Sequence, residues 1–164
     1  MARYAATVCF GSPLGLVEVE CAESGVTRVR LAARGRPREA GDGAALACAR
    51  RTKDEILAYL AGTRREFSVP VVVAGTTFQR AVWDRLVGIP YGATCTYGEV
   101  AAELGKPRAA RAVSLACRAN PVPILVPCHR IVSGNRAAES RADAAPLKRQ
   151  LLAIERQDGR RPSA

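Results

Sequence analysis

The chain has 164 residues, 48% of them hydrophobic, only eight aromatic, and a formal net charge of +10. That length and apolar content suit one domain or two small ones with a core mainly of Ala, Val and Leu, which excludes global disorder. The N-terminal MARYAATVCFGSP carries no signal-peptide run and no stretch reaches the ~20 apolar residues of a membrane span, so no membrane is expected as a partner.

The first half reads as strands joined by turns. TVCF leads into the turn GSPLG; LVEVEC then alternates, with Val17, Val19 and Cys21 on one face and Glu18 and Glu20 on the other. After the turn AESG, VTRVRL alternates again, which predicts an antiparallel sheet with one wet face. RGRPREAGDG reads as a polar connection. AALACARRTKDEILAYLAG reads as a helix with Leu46, Ala49, Lys53, Ile56, Leu57 and Leu60 near one stripe and Gly62 as its stop. FSVPVVVAG is extended, with Pro70 keeping it off a central ladder position. After Gly75 the character changes. TTFQRAVWDRLVGI predicts a helix capped by Thr77, with Phe78, Val82 and Leu86 at helical spacing and Trp83 in the core. PYGAT is a turn. TYGEVAAELGK predicts a short helix closing at Gly105, and PRAARAVSLACRAN a second one beginning at Pro107, together a helix-turn-helix pattern that many non-binding hairpins share. PLKRQLLAIERQDG predicts a last helix with Leu147, Leu151 and Ile154 on one face. The fold class is therefore α+β: a small N-terminal antiparallel sheet with a helix over residues 1–75, then a mostly helical domain over 76–164.

The charge is not evenly spread. The total of 22 Arg against 3 Lys also fits codon usage, but residues 1–76 carry a net +3 and residues 77–164 a net +7. Between Leu104 and Ala138 there is no acid, while Lys106, Arg108, Arg111, Arg118, Arg130 and Arg136 all fall there. A one-sided block of this kind suits a polyanion, with nucleic acid first. The six cysteines show no CxxC spacing and there is one histidine, which leaves a mixed-ligand metal site little to work with. Reduced thiols in an intracellular protein are expected.

Within the basic block, PVPILVPCHRIV brings together three prolines, Cys128 and the chain's one histidine, His129. Each proline fixes φ and pushes its predecessor into extended backbone, giving a stiff non-helical strip. Asn120, before Pro121, can bond neighbouring backbone and hold the turn. A thiol attacks as its thiolate, and an ordinary Cys of pKa ~8.5 is mostly protonated at neutral pH. A nearby imidazole could take that proton and nearby Arg charge could steady the anion. Neighbours on an extended segment point to opposite sides, so Cys128 and His129 would need a bridging water or a bend after Pro127. The imidazole also needs an orienting acceptor, and Glu155, four residues after Leu151 on the last helix, is the candidate. The residues alone leave Cys128 readable either as a core thiol or as a nucleophile.

FQRAVWDRLVGIPYGATCTYGEVAAELGKPRAARAVSLACRANPVPILVPCHRIV resembles the O6-alkylguanine-DNA alkyltransferases, also called methylated-DNA–protein-cysteine methyltransferases, over about residues 76 to 133, and the likeness resumes at LLAIE. The resemblance implies DNA repair by direct reversal: irreversible, single-turnover transfer of a methyl or alkyl group from O6-alkylguanine to Cys128, with no cofactor and no metal. It implies that His129 activates Cys128 through water, that Glu155 orients His129, and that Asn120 is the hinge between the recognition helix and the active-site strip. Arg111 would fill the stack left by the extruded base, and Tyr97 would crowd the phosphate beside the target nucleotide and donate to the guanine ring. The second helix of the motif would enter the minor groove of double-stranded DNA, with Ala110 among its small residues; Gly98, Lys106 and Arg118 complete the expected DNA contacts. A monomer in the cytoplasm or on the nucleoid is expected. Two features depart from the family. RAAESRADAAP, with Ser140, replaces a glycine-rich loop with an aromatic residue, and no zinc ligands of the family's N-terminal kind are seen. The first departure keeps open a non-enzymatic, alkyltransferase-like lesion binder, although Cys128 argues against it. A small-molecule cysteine hydrolase or transferase and a plain helix-turn-helix regulator are the remaining rivals.

Overall fold

The computed structural model describes residues 6–31, 33–134 and 145–158. The chain forms two compact units. One comprises Met1–Val73 with Pro121–Leu125, the other Ala74–Asn120 with Val126–Ala164.

In the first unit, β1 (Ala6–Ser12), β2 (Gly15–Ala22), β3 (Gly25–Arg30) and β4 (Arg38–Gly41) make an antiparallel sheet in the order β3-β2-β1-β4. Helix α1 (Gly43–Leu60) packs on β1, β2 and β3. Strand β2 is buried at every position from Val17 to Ala22, and the thiol of Cys21 meets that of Cys48 on α1. The expected wet face is not wet. Glu18 and Glu20 are 5% and 8% exposed. Arg30, the cross-strand partner of Glu18, donates to it at 2.5 Å, and Arg38 on β4 reaches the same carboxylate across β1. A charge leaves water readily when a neighbouring strand supplies its counter-ion and a long apolar stem to cover it. The strand β4 was expected as a polar connection. All four of its residues are exposed, so it carries no burial pattern; it pairs by backbone alone along a charged sheet edge. The buried face of α1 keeps Ala49, Ile56 and Leu60 of the expected stripe but not the rest of it. Ala45, Ala49, Thr52, Glu55, Ile56 and Tyr59 are inside, whereas Leu46, Lys53 and Leu57 are half-buried. Thr52 bonds back to the Cys48 carbonyl at 2.8 Å, and Glu55 accepts the Ser68 backbone N–H at 2.9 Å, so both polar groups enter the interior satisfied.

The outer edge of β3 is closed by short extended pieces. Val26 donates to the Pro70 carbonyl at 2.8 Å and accepts from Val72 N–H at 2.8 Å, and Val29 donates to the Pro121 carbonyl at 2.9 Å. Pro70 thus acts as an acceptor at an edge, as its missing N–H requires. Gly25 makes this approach possible: at φ +147° a Cβ would stand 2.5 Å from the Pro70 oxygen.

The second unit contains α2 (Thr77–Val87), β5 (Cys95–Thr96), α3 (Tyr97–Glu103), α4 (Ala110–Arg118), a 3-10 turn (Cys128–Arg130), β6 (Ile131–Val132) and α5 (Pro146–Asp158). The cap of α2 is Thr76 rather than the expected Thr77, because a capping box needs a partner three residues on and Gln79 supplies it. Thr96 and Glu99 repeat the box at α3. Val82, Trp83 and Leu86 are buried, with the indole N–H donating to the Ala116 carbonyl of α4 at 2.9 Å. Helix α3 packs on α4 as the helix-turn-helix pattern requires. Its partner begins at Ala110, not at the expected Pro107, which lies in the turn; Ala109 N–H bonds back to the Lys106 carbonyl at 2.8 Å. Strand β6 pairs in parallel with β5, setting Thr96 beside Val132 and so the start of α3 beside the Cys-His strip.

Candidate active site

The strip leaves α4 through Asn120 and is fixed by that residue's amide. Its Nδ2 donates to the Val126 carbonyl at 3.0 Å and to Cys128 Sγ at 2.8 Å. Between them Ile124 is buried in the left-handed region at φ 74°. For a β-branched residue that costs about 1–3 kcal/mol and persists only where the surroundings enforce it. After Pro127 the chain does not stay extended. It turns through the 3-10 segment, with Arg130 N–H bonded to the Pro127 carbonyl at 3.0 Å. The bend sends consecutive side chains to different partners: the Cys128 thiol to Asn120 and the Cys117 carbonyl (3.5 Å), the His129 ring to Glu155.

Helix α5 brings Glu155 inward beside the buried Leu151, and the carboxylate is 1% exposed. His129 Nε2 lies 2.6 Å from its Oε1. Gly92 N–H donates to Oε2 at 2.9 Å from the PYGAT turn. Arg130, itself 7% exposed, donates through Nε and Nη2 at 3.0–3.1 Å, and its Nη1 donates to the Ile89 carbonyl at 2.6 Å. Burial lowers the pKa of His129 against the opposing pull of Glu155, with Arg130 and Lys148 adding to the lowering. The ring is thus a neutral base near pH 7. The hydrogen bond with Cys117, then burial, push Cys128 up, while the Asn120 amide and the charge of Lys148 draw it down; Cys117 shifts down through its bond with Cys128. Cys128 therefore rests as a thiol, and among the described residues the cation that favours its anion is Lys148. A resting thiol beside a neutral imidazole–carboxylate pair can deliver a sulfur nucleophile once its proton moves to a base.

The expected DNA-contacting residues lie on α3, α4 and the turn between them. Tyr97 opens α3, half-buried, with Lys148 Nζ 6.0 Å from its ring centre, and Gly98 follows it, exposed. Ala110 opens α4, half-buried; Arg111 and Arg118 are exposed on it, and Lys106 is exposed in the turn with its ammonium 5.3 Å from the Phe78 ring centre. Sequence reasoning gave no site role to Cys117 or Lys148, and it read Arg130 only as part of the basic block facing a polyanion, whereas Arg130 is buried against Glu155. A signal existed for Arg130, since a cation inside an apolar proline-rich strip needs a buried acid. Leu115 is 56% exposed on α4, at helical spacing between Arg111 and Arg118. Ser140 and the rest of residues 136–144 lie outside the described residues. Among the described residues no group of three His, Cys, Asp or Glu side chains is placed to hold a metal ion, and no helix is long and apolar enough to cross a membrane.

Residues 77–157 match the domain described as 6-O-methylguanine DNA methyltransferase, DNA binding domain. A methylated-DNA–protein-cysteine methyltransferase of Methanosarcina acetivorans is 43% identical over 106 residues, 65% of this chain and 68% of the relative. The inducible enzyme of that name from Bacillus subtilis is 47% identical over 102 residues, 62% of this chain and 57% of its own length. The crystal structure of Mycobacterium tuberculosis OGT in complex with DNA superposes with a TM-score of 0.78 at 35% identity, covering 93% of each chain. The matched domain contains the residues that carry the thiol, imidazole and carboxylate, and the likeness in structure covers 93% of the chain: the chain belongs to the methylated-DNA–protein-cysteine methyltransferase family.

Proposed function

We propose that this protein repairs DNA by direct reversal, moving one methyl or alkyl group from O6-alkylguanine in double-stranded DNA to Cys128 and acting once. The observation that carries the proposal is the Asn120 amide held 2.8 Å from a Cys128 thiol whose next residue is paired with a buried glutamate. The relatives' names and the DNA complex of the M. tuberculosis protein support the same reading.

In this scheme residues 76–164 form the alkyltransferase domain. Helix α4 enters the minor groove, with Ala110 allowing close approach and Lys106 and Arg118 meeting phosphates. The nucleotide flips out at a cost of a few kcal/mol, and Arg111 fills the gap. Gly98 leaves room for the backbone beside Tyr97, which crowds the flanking phosphate and donates to the purine. The thiol proton passes to His129 through a bridging water as sulfur attacks the alkyl carbon. The S–C bond forms while the C–O6 bond breaks, and guanine leaves with its charge spread over the ring and met by Tyr97. Asn120 steadies the sulfur as its negative charge develops. The thioether has no route back. The reaction suits a protein of the cytoplasm or nucleoid.

Incubation with a duplex carrying O6-methylguanine, followed by intact mass, tests the proposal. A gain of one methylene that saturates at one per protein is expected. Tight lesion binding with unchanged mass would instead identify a lesion flag. Arg111→Ala should weaken transfer from duplex DNA about tenfold or more, as loss of a flipping aid implies, with much less effect on the free modified base. Equal losses on both substrates would remove Arg111 from base extrusion.

A further inference from the structure

Arg130 is buried and fully engaged. Two of its nitrogens donate to the Glu155 carboxylate, a third donates to the Ile89 carbonyl, and the guanidinium carbon lies 5.7 Å from the centre of the Tyr91 ring. Glu155 in turn receives donors from two elements: Arg130 and the His129 ring on the 3-10 turn, and Gly92 on the PYGAT turn. Among the described residues, the charged groups acting on His129 include Glu155 and Lys148 from α5 and Arg130 from its own turn.

The charges of the buried cluster decide what His129 can be. Glu155 and Arg130 already cancel before the imidazole enters. A protonated His129 would give the interior an uncompensated positive charge, with Lys148 adding to it. Without Arg130 the balance reverses: a buried carboxylate facing the imidazole alone would hold it as imidazolium, much as an isolated buried charge recruits a counter-ion. An imidazolium has no lone pair and cannot take a proton.

We propose that Arg130 is a positioning residue for alkyl transfer: by neutralising Glu155 it keeps His129 a neutral imidazole, with Nε2–H on the carboxylate and Nδ1 left basic for the acceptor thiol's proton. The part concerning the thiol rests on the function proposed above. The carboxylate still orients the ring, but its charge is committed elsewhere. Arginine suits the task because it stays charged when buried and its planar fork meets a carboxylate with two parallel donors.

His129 is the chain's one histidine, so its ring nitrogens give unambiguous signals in a 15N-labelled protein. The wild type should show Nε2 protonated and Nδ1 bare at neutral pH. Arg130→Met should show the imidazolium at the same pH, with its titration midpoint moved upward. Arg130→Lys keeps the charge and should restore the neutral ring. Single-turnover transfer by Arg130→Met should fall about tenfold or more at neutral pH, the scale on which a general base acts, and recover as pH rises through the raised midpoint. Arg130→Lys should lie between it and the wild type. The nitrogen spectra need neither DNA nor transfer, so they test the inference even if the protein accepts no alkyl group. Should Arg130→Met fail to fold, the wild type and Arg130→Lys decide, since an imidazolium at neutral pH in either one overturns the proposal. So does a folded Arg130→Met protein whose histidine has the wild-type tautomer and titration.

Discussion

Each unit of the protein contains a pair of neighbouring thiols, and only one pair has the means to react. In the first unit Cys21 on β2 and Cys48 on α1 stand with their sulfurs 3.5 Å apart. Burial, then the bond with Cys48, raise Cys21 to about 12, with only the Thr52 hydroxyl opposing. In the second unit Cys128 is likewise raised by its neighbour Cys117 and by burial, yet the Asn120 amide and Lys148 pull the other way, and the next residue is an imidazole set on a carboxylate. Burial and a second thiol make both sulfurs inert at rest. What distinguishes Cys128 is a nearby cation, Lys148, that favours its anion, and a neighbouring imidazole set on a buried carboxylate.

The comparison breaks most sharply at the sulfurs themselves. Cys128→Ser should abolish methyl uptake, whereas Cys21→Ser should leave its rate unchanged, as read by intact mass after exposure to lesion duplex. Next comes the base. Glu155→Gln removes the carboxylate and should slow transfer by about 10²–10⁴-fold, the usual range for general-base assistance. It should also destabilise the fold by about 3–5 kcal/mol, because Arg130 is left as a buried unpaired charge, and a denaturation midpoint would show this. The donor follows. Asn120→Ala removes a bond to a developing anion, of about 1.5–3 kcal/mol, and should raise the pH at which Cys128 reacts with iodoacetamide. The same change made at Thr52 should not alter that profile.

Acid sharpens the contrast further. An unfolded histidine titrates near ~6.5, while burial first of all holds folded His129 below that. The unfolded chain therefore binds the proton first, and the stability that the neutral ring contributes is present above ~6.5 and lost as pH falls toward the folded value. His129→Gln should flatten this part of the stability–pH curve. The smallest effect is expected at a cap remote in role: Thr76→Ala should cost about 1 kcal/mol and leave transfer unchanged.

Much of this was legible in the sequence, for reasons that differ by element. The first three strands showed themselves through alternation and Gly-containing turns. The pairing of His129 with Glu155 and the bond of Asn120 to the strip's backbone were readable, because one histidine, one inward helical acid and proline stiffness narrow the choices; the bond from Asn120 to the Cys128 sulfur was not. The strand β4 was not readable, since an exposed edge strand buries nothing and so has no pattern. The faces of α1 were partly misjudged because Thr52 and Glu55 go inward with hydrogen bonds that periodicity does not register. The start of α4 was placed early because Pro107 is allowed both in a first helical turn and in the loop before one. Cys117 and Lys148 came to the site through contacts across elements, with no local spacing to announce them.

The central claim is that Cys128, and not its partner thiol Cys117, receives the alkyl group. Digestion after reaction with a duplex carrying O6-methylguanine, with the mass of each cysteine peptide measured, tests it directly. The account predicts one methyl on the peptide containing Cys128 and none on that containing Cys117, at one equivalent per protein. Methyl on Cys117, or release of guanine beyond one equivalent, would contradict it.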